Sequence, residues 1–177
     1  MAEVARELGV SRATVYRYFE DGEALLDELT RLETGPFLRD IAGALSRDTH
    51  PEQAVVHAVA YVIENLPKNP YLVAAFADDG RARRVASITS PMAQEFGRAV
   101  LASLPIDWSG YGIDDRATAL VVEQMLRMVQ SFIVDPGDPV RQGASLTSYL
   151  SVWLIPTVEK LARGSDLNVG SPTSVSS

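Results

Sequence analysis

Ser11, Arg12, Ala13, Thr14, Val15, Tyr16, Arg17 and Tyr18 place two guanidinium groups, two aliphatic hydroxyls and two phenols in eight consecutive positions. That mixture suits contact with nucleic acid. An arginine can fork onto guanine O6 and N7, a threonine can reach a base edge or a thymine methyl, and hydroxyls can anchor phosphates. Catalysis finds no comparable set. With no cysteine there is no disulfide scaffold, no thiolate metal site and no cysteine nucleophile. The two histidines, His50 and His57, are too few for a histidine-based metal site. Gly-rich phosphate loops and hydrolytic motifs are absent. The acidic pairs Asp78-Asp79 and Asp114-Asp115 read as helix ends, and acid/base work would need one of them buried. The expectation is a protein that is not an enzyme, with no catalytic residues, no metal and no cofactor.

The elements that must hold residues 11–18 are legible around them. Ala2 to Leu8 reads as a short helix with Val4, Ala5 and Leu8 on one face. Gly9 supplies a left-handed C-cap, and Ser11 is a natural N-cap for a helix over Arg12 to Phe19. Val15, Tyr18 and Phe19 are expected inside, with Arg12, Thr14 and Arg17 mostly outside. A helix-turn-helix needs a small residue where its helices cross, a turn tolerant of positive φ, and apolar residues that seat the second helix. Ala5, Gly9 and the set Leu8, Val10, Val15 and Tyr18 meet those needs.

Further on, Asp21 can cap a third helix with Leu25, Leu29 and Leu32 at helical spacing. Thr34-Gly35-Pro36 interrupts that pattern, which resumes through Phe37, Ile41 and Leu45 as one kinked helix or two in near continuation. A proline at the first helical position marks later starts at Asn69-Pro70, Ser90-Pro91, Asp138-Pro139 and, more weakly, His50-Pro51. These divide the chain into helices near 51–66, 70–78, 91–104, 114–134 and 139–163, with a loop at 105–113. Pro156 should bend the last of them. The last two are apolar nearly all round: Val121, Met125, Met128 and Phe132 form one stripe of the first, and Val122, Leu126, Val129 and Ile133 another. A helix with two apolar faces needs two partners. Val122, Leu126, Val129, Leu146, Leu150 and Trp153 are therefore the candidate interface with a second copy of the chain.

The fold class is all-α, with no alternating strand pattern and no internal repeat. The expected organisation is a helix-turn-helix and the start of a connecting helix over 1–34, a larger helical domain over 35–163 and a disordered Ser/Gly-rich tail over 164–177. Hydrophobic residues make up 46% of the 177 positions, ample for a packed core. No signal peptide is visible, and no apolar run of about 18 residues is free of charge, so a cytoplasmic chain with no membrane span is expected. The net charge is −7, shared between residues 1–31 (four Arg, seven Asp/Glu) and the remainder (12 basic, 16 acidic). DNA binding then depends on a few arginines clustering on the reading surface.

The run Val4-Ala5-Arg6-Glu7-Leu8-Gly9-Val10-Ser11-Arg12-Ala13-Thr14-Val15-Tyr16-Arg17-Tyr18-Phe19, followed by Glu23-Ala24-Leu25-Leu26, resembles the TetR-type bacterial transcription regulators. It is similar to that family's second helix, turn, recognition helix and the start of its fourth helix. The resemblance implies a homodimeric regulator, a repressor by the family pattern, binding a palindromic double-stranded DNA operator and responding to a small apolar effector. It implies that Ser11, Arg12, Ala13, Thr14 and Tyr16 face DNA, with Arg17 and Tyr18 nearer the phosphates. It also implies an effector pocket between residues 51 and 134, for which Tyr61, Leu66, Phe76, Trp108, Met125, Met128 and Phe132 are the candidate lining. Arg81, Arg83 and Arg84 read as a solvated basic run. Two departures stand out: Gly22 occupies a position where the family usually has Lys, and the family's first helix has no counterpart. Met1 is accordingly expected to be an internal methionine. A dimeric helical ligand-binding or interaction module without productive DNA binding is the alternative function.

Overall fold

The computed structural model of the chain describes residues 5–6, 9–19, 21–75 and 90–164, and among them there are helices, turns and loops but no strand. Short polar side chains set most of the helix starts. Helix α1 spans Arg12–Tyr18, and Ser11 Oγ accepts from the Thr14 amide at 3.1 Å. Helix α2 spans Gly22–Ala44, capped by Asp21, whose Oδ1 accepts from the Ala24 amide at 2.9 Å. Helix α3 runs Pro51–Asn65 and passes through a 3-10 turn at Leu66–Lys68. Asn69 then caps α4, Pro70–Ala75, its Oδ1 accepting from the amides of Tyr71 and Leu72 at 3.1 and 3.0 Å. Ser90 caps α5, Pro91–Ser103, and Asp114 caps α6, Asp115–Val134. Each such cap contributes about 1 kcal/mol over alanine. Helix α7 spans Gly143–Ala162 and continues through Pro156.

The interruption at Thr34-Gly35-Pro36 proves to be internal to one helix, since α2 continues through Pro36 with the proline at the solvent side. Prolines open α3, α4 and α5 as the spacing predicts. The fourth expected start is corrected: Asp138-Pro139 lies in a turn, and the last helix begins at Gly143. That start is set elsewhere. The Gln142 amide donates to Ser145 Oγ at 3.2 Å, and the Gly143 amide donates to Glu64 Oε1, from α3, at 2.7 Å. The end expected for α4, near residue 78, and the tail beyond residue 164 lie outside the described residues.

Helix α3 decides the packing. Its sequence is Ala- and Val-rich, and Pro51, Ala54, Val55, Val56, Ala58, Val59, Ala60 and Val62 are all buried. It packs against α7, α6 and α5, while α2 lies along α4 and against α5. Leu146, Leu150, Leu154 and Val158 of α7 are fully buried, as are Val121 and Val122 of α6. Phe37 and Ile41 of α2, and Leu45 that caps its end, enter the same core. His57 Nδ1 lies 2.9 Å from Asp48 Oδ2 and so ties α3 to the segment that follows α2. The 105–113 loop is fastened too: Trp108 Nε1 donates to the Leu101 carbonyl at 3.2 Å, and the Tyr111 hydroxyl donates to the Thr49 carbonyl at 2.9 Å. Within it, the Gly110 amide and then the Ser109 hydroxyl donate to Asp107, holding its carboxyl below the usual range.

Helix α6 is, by length and composition alone, long and apolar enough to cross a membrane, although Glu123 and Arg127 lie within it, so the run is not free of charge. Its Val121, Val122 and Met125 are nonetheless buried in the core, and its outer side carries the Glu123–Arg127 ion pair at 2.6 Å. One face of α6 thus belongs to the core. Where α6 crosses α5 the fit is tight, because a Cβ built on Gly97 would stand 2.7 Å from Val122 Cγ1. Gly97→Val should therefore cost about 1–3 kcal/mol through overpacking. A urea midpoint equal to the parent's would show slack at that crossing.

Candidate nucleic-acid interface

The turn before α1 is built as the glycine predicts. Gly9 has φ +64°, its amide donates to the Arg6 carbonyl at 3.2 Å, and the Val10 amide donates to the Ala5 carbonyl at 3.0 Å. This pair of bonds is the Schellman arrangement, which ends a helix with its last carbonyls satisfied. Ala5 and Val15 are 3% and 5% exposed, so the small residue and one apolar anchor hold the two segments together. Phe19 is half-buried, one turn beyond Val15.

Two expected anchors are corrected. Val10 is 41% exposed, because it sits in the turn and contributes its amide rather than its side chain. Tyr18 is 69% exposed and is no packing residue. Spacing alone would leave it near the face of Val15, but Tyr18 is the last helical residue, and the chain turns to an extended backbone at Phe19. Its ring lies under the Arg17 guanidinium, 5.0 Å from Cζ to centroid, with Nη2 donating to the phenol oxygen at 3.3 Å. A cation held over a ring is worth about 0.5–1 kcal/mol at an exposed site. The pair thus presents a pre-set cation and hydroxyl to solvent. Leu8, the other expected anchor, lies outside the described residues.

The remaining candidate DNA contacts lie on or beside the same short helix. Ala13 and Tyr16 are exposed, and Thr14 is half-buried. Ser11 Oγ lies 2.9 Å from Thr14 Oγ1, so one of the two hydroxyl protons is engaged within the cap. Arg12 opens α1, and its side chain lies outside the described part of the structure. The acidity of this region has a partial structural explanation. Asp21 is the cap of α2, and Glu28 holds Arg31, its Oε2 accepting from Nε at 2.8 Å. That hydrogen bond and the arginine's charge keep the Glu28 carboxyl below the usual range.

The residues expected around an effector fall in different settings. Leu66 and Met125 are core, Met128 is partly buried against it, and Trp108 is tethered in its loop. Tyr61 is half-buried; burial, and then the charge of Asp40, push its phenol up. Its ring meets Phe37 edge-on at 5.7 Å, and Phe37 meets Phe96 at 5.8 Å. Spacing does not bring Phe37, Tyr61 and Phe96 together, because their contacts join three helices distant along the chain. Phe132 stands elsewhere, edge-on to Tyr149 at 5.7 Å. Phe76 and the Arg81, Arg83 and Arg84 run lie outside the described residues.

The candidate interface with a second copy divides in two. Val122, Leu146 and Leu150 are taken up by the chain's own core: all three are fully buried, and Val122 lies against Gly97 of α5. Leu126 and Val129 are half-buried, and Trp153 is 53% exposed beside exposed Val152 and Tyr149. For the interface to DNA, Ser11→Ala should remove about 1 kcal/mol of local stability from α1. Amide exchange over residues 14–18 reads this directly, and unchanged protection would show that the serine cap is idle.

Residues 1–29 match the model of a family described as bacterial regulatory proteins, tetR family. Two Mycobacterium tuberculosis proteins, one from each of two strains and each named an uncharacterized HTH-type transcriptional regulator, are 28% identical over 165 residues. The similarity covers 89% of this chain and 74% of each relative, so it runs well past the helix-turn-helix. No solved structure matches. Residues 1–29 are thus similar to the helix-turn-helix of tetR-family regulators, and the similarity to proteins named HTH-type transcriptional regulators continues through the helical body.

Proposed function

We propose that the chain is a ligand-responsive repressor that binds a palindromic operator as a homodimer in the cytoplasm. The observation that carries this reading is α1 itself. It is seated by buried Val15 and offers exposed Ala13, Tyr16, Arg17 and Tyr18 on its other sides. In this reading Ser11, Arg12, Ala13, Thr14 and Tyr16 face base edges, and the Arg17–Tyr18 pair meets phosphate. A dimer would set two copies of α1 into successive major grooves, roughly 34 Å apart. Its interface would be the apolar face of α6 and α7 that the single chain leaves open, centred on Tyr149, Val152 and Trp153. The reading unit would be residues 1–34, and the ligand-binding and dimerisation unit residues 35–163. An apolar effector would lie among the aromatic and Met side chains of the body, with Phe37 of α2 touching the same cluster.

The direct test is binding to the chain's own upstream intergenic DNA at two salt concentrations. Specific binding that weakens as salt rises is expected, since phosphate contacts release counterions. A failure to bind that DNA specifically at low salt would overturn the reading in favour of an interaction module. Arg12→Ala should weaken specific binding by about 1–3 kcal/mol and relax base preference at one position. Equal affinity for mutant and parent would remove Arg12 from base reading. Trp153→Glu should yield monomers in sedimentation, and a variant that stays dimeric at low micromolar concentration would place the interface elsewhere.

A further inference from the structure

Helix α2 is a stem with a weak point. Its C-terminal half is buried in the body through Phe37 and Ile41, with Leu45 buried just past its end, and its N-terminal end follows α1 after a short link. Between the two lies Pro36, which has no amide proton to donate one turn back, to the Leu32 carbonyl. Gly35 precedes it, and Thr34 Oγ1 donates to the Thr30 carbonyl at 2.7 Å, a back-bond of the kind that bends helices. A helix interrupted in this way transmits orientation poorly unless its far side is held by something else.

Glu33, on the α1 side of the interruption, is held. Its Oε2 accepts from Asn69 Nδ2 at 2.8 Å, across 36 residues of sequence, and both side chains are half-buried. Asn69 is itself fixed, because its Oδ1 caps α4 through the amides of Tyr71 and Leu72, and Leu72 is fully buried in the core. Its carboxamide cannot turn away from Glu33 without uncapping α4. The chemistry calls for an amide: an aspartate would cap equally well but would face Glu33 with a second carboxylate.

We propose that Glu33 and Asn69 are positioning residues for DNA reading, a tie that holds the α1-bearing part of α2 at a set angle to the body across the hydrogen bond that Pro36 leaves unmade. The inference rests on the DNA-binding reading above and adds to it residues that touch no DNA.

The test uses the full chain and an exchange of donor and acceptor. Asn69→Asp keeps the cap and breaks the tie. Adding Glu33→Gln restores it in reverse, because the new carboxamide can donate to the new carboxylate. With every variant folded at the assay temperature by circular dichroism, Asn69→Asp should weaken binding to the upstream DNA by about 5-fold or more. The double variant should recover most of that loss. A folded Asn69→Asp protein that binds as well as the parent, or a folded double variant that recovers nothing, overturns the tie. Amide exchange over residues 22–34 gives a reading independent of DNA. It should quicken in Asn69→Asp and slow again in the double variant, and no change would also overturn the proposal. If the parent itself fails to bind the DNA, the regulator reading fails, and the exchange result alone decides the tie.

Discussion

A helix with almost no polar face cannot exist in water unless others surround it, and α3 is such a helix. Eight of its fifteen residues are buried, all of them Pro, Ala or Val. Burying a single valine completely is worth roughly 1.5–3 kcal/mol, so covering α3 outweighs the local preferences of any one neighbour. The rest of the body follows from this demand. Helices α5, α6 and α7 close around it, and α2 enters the same core through its C-terminal half. Small residues at the crossings matter for the same reason, since covering α3 from several sides brings α5 and α6 together at Gly97.

The reading end obeys a different constraint. Residues 1–31 hold more acid than base, yet the region matches a DNA-binding family. The structure gives two of the acidic side chains local duties. Asp21 starts α2 and Glu28 engages Arg31, so their charge is partly met within the protein. The Arg17–Tyr18 pair, by contrast, points to solvent with its geometry already set. Binding by so few cations gains little from long-range attraction and depends on where each is held. In the proposed DNA-binding reading, a secure connection between α1 and the body would therefore matter more than in a strongly basic protein.

The element pattern was legible because its signals are local. Ser11, Asp21, Ser90 and Asp114 each lie beside the amide they cap, and Gly9 adopts the positive φ that its turn needs. The same local logic misplaced the last helix. Asp138-Pro139 has the form of a start, but the amide that opens α7 is met by Glu64 from a distant helix. Tyr18 differs from the local expectation for a related reason: it shares a helix face with Val15 by spacing, but it ends the helix exposed, with Arg17 over its ring.

Helical class, the helix-turn-helix, the turn glycine and most caps were determined by the sequence alone, because each depends on residues within about one helical turn of one another. Which apolar stripes of α6 and α7 serve the chain's own core was not. Val122, Leu146 and Leu150 look no different in sequence from Trp153, yet three are enclosed and one is open. Nor could spacing reveal that Phe37 meets Tyr61 and Phe96, or that Asn69 reaches Glu33. Those pairings join groups far apart along the chain, and only the packing around α3 brings them within contact distance.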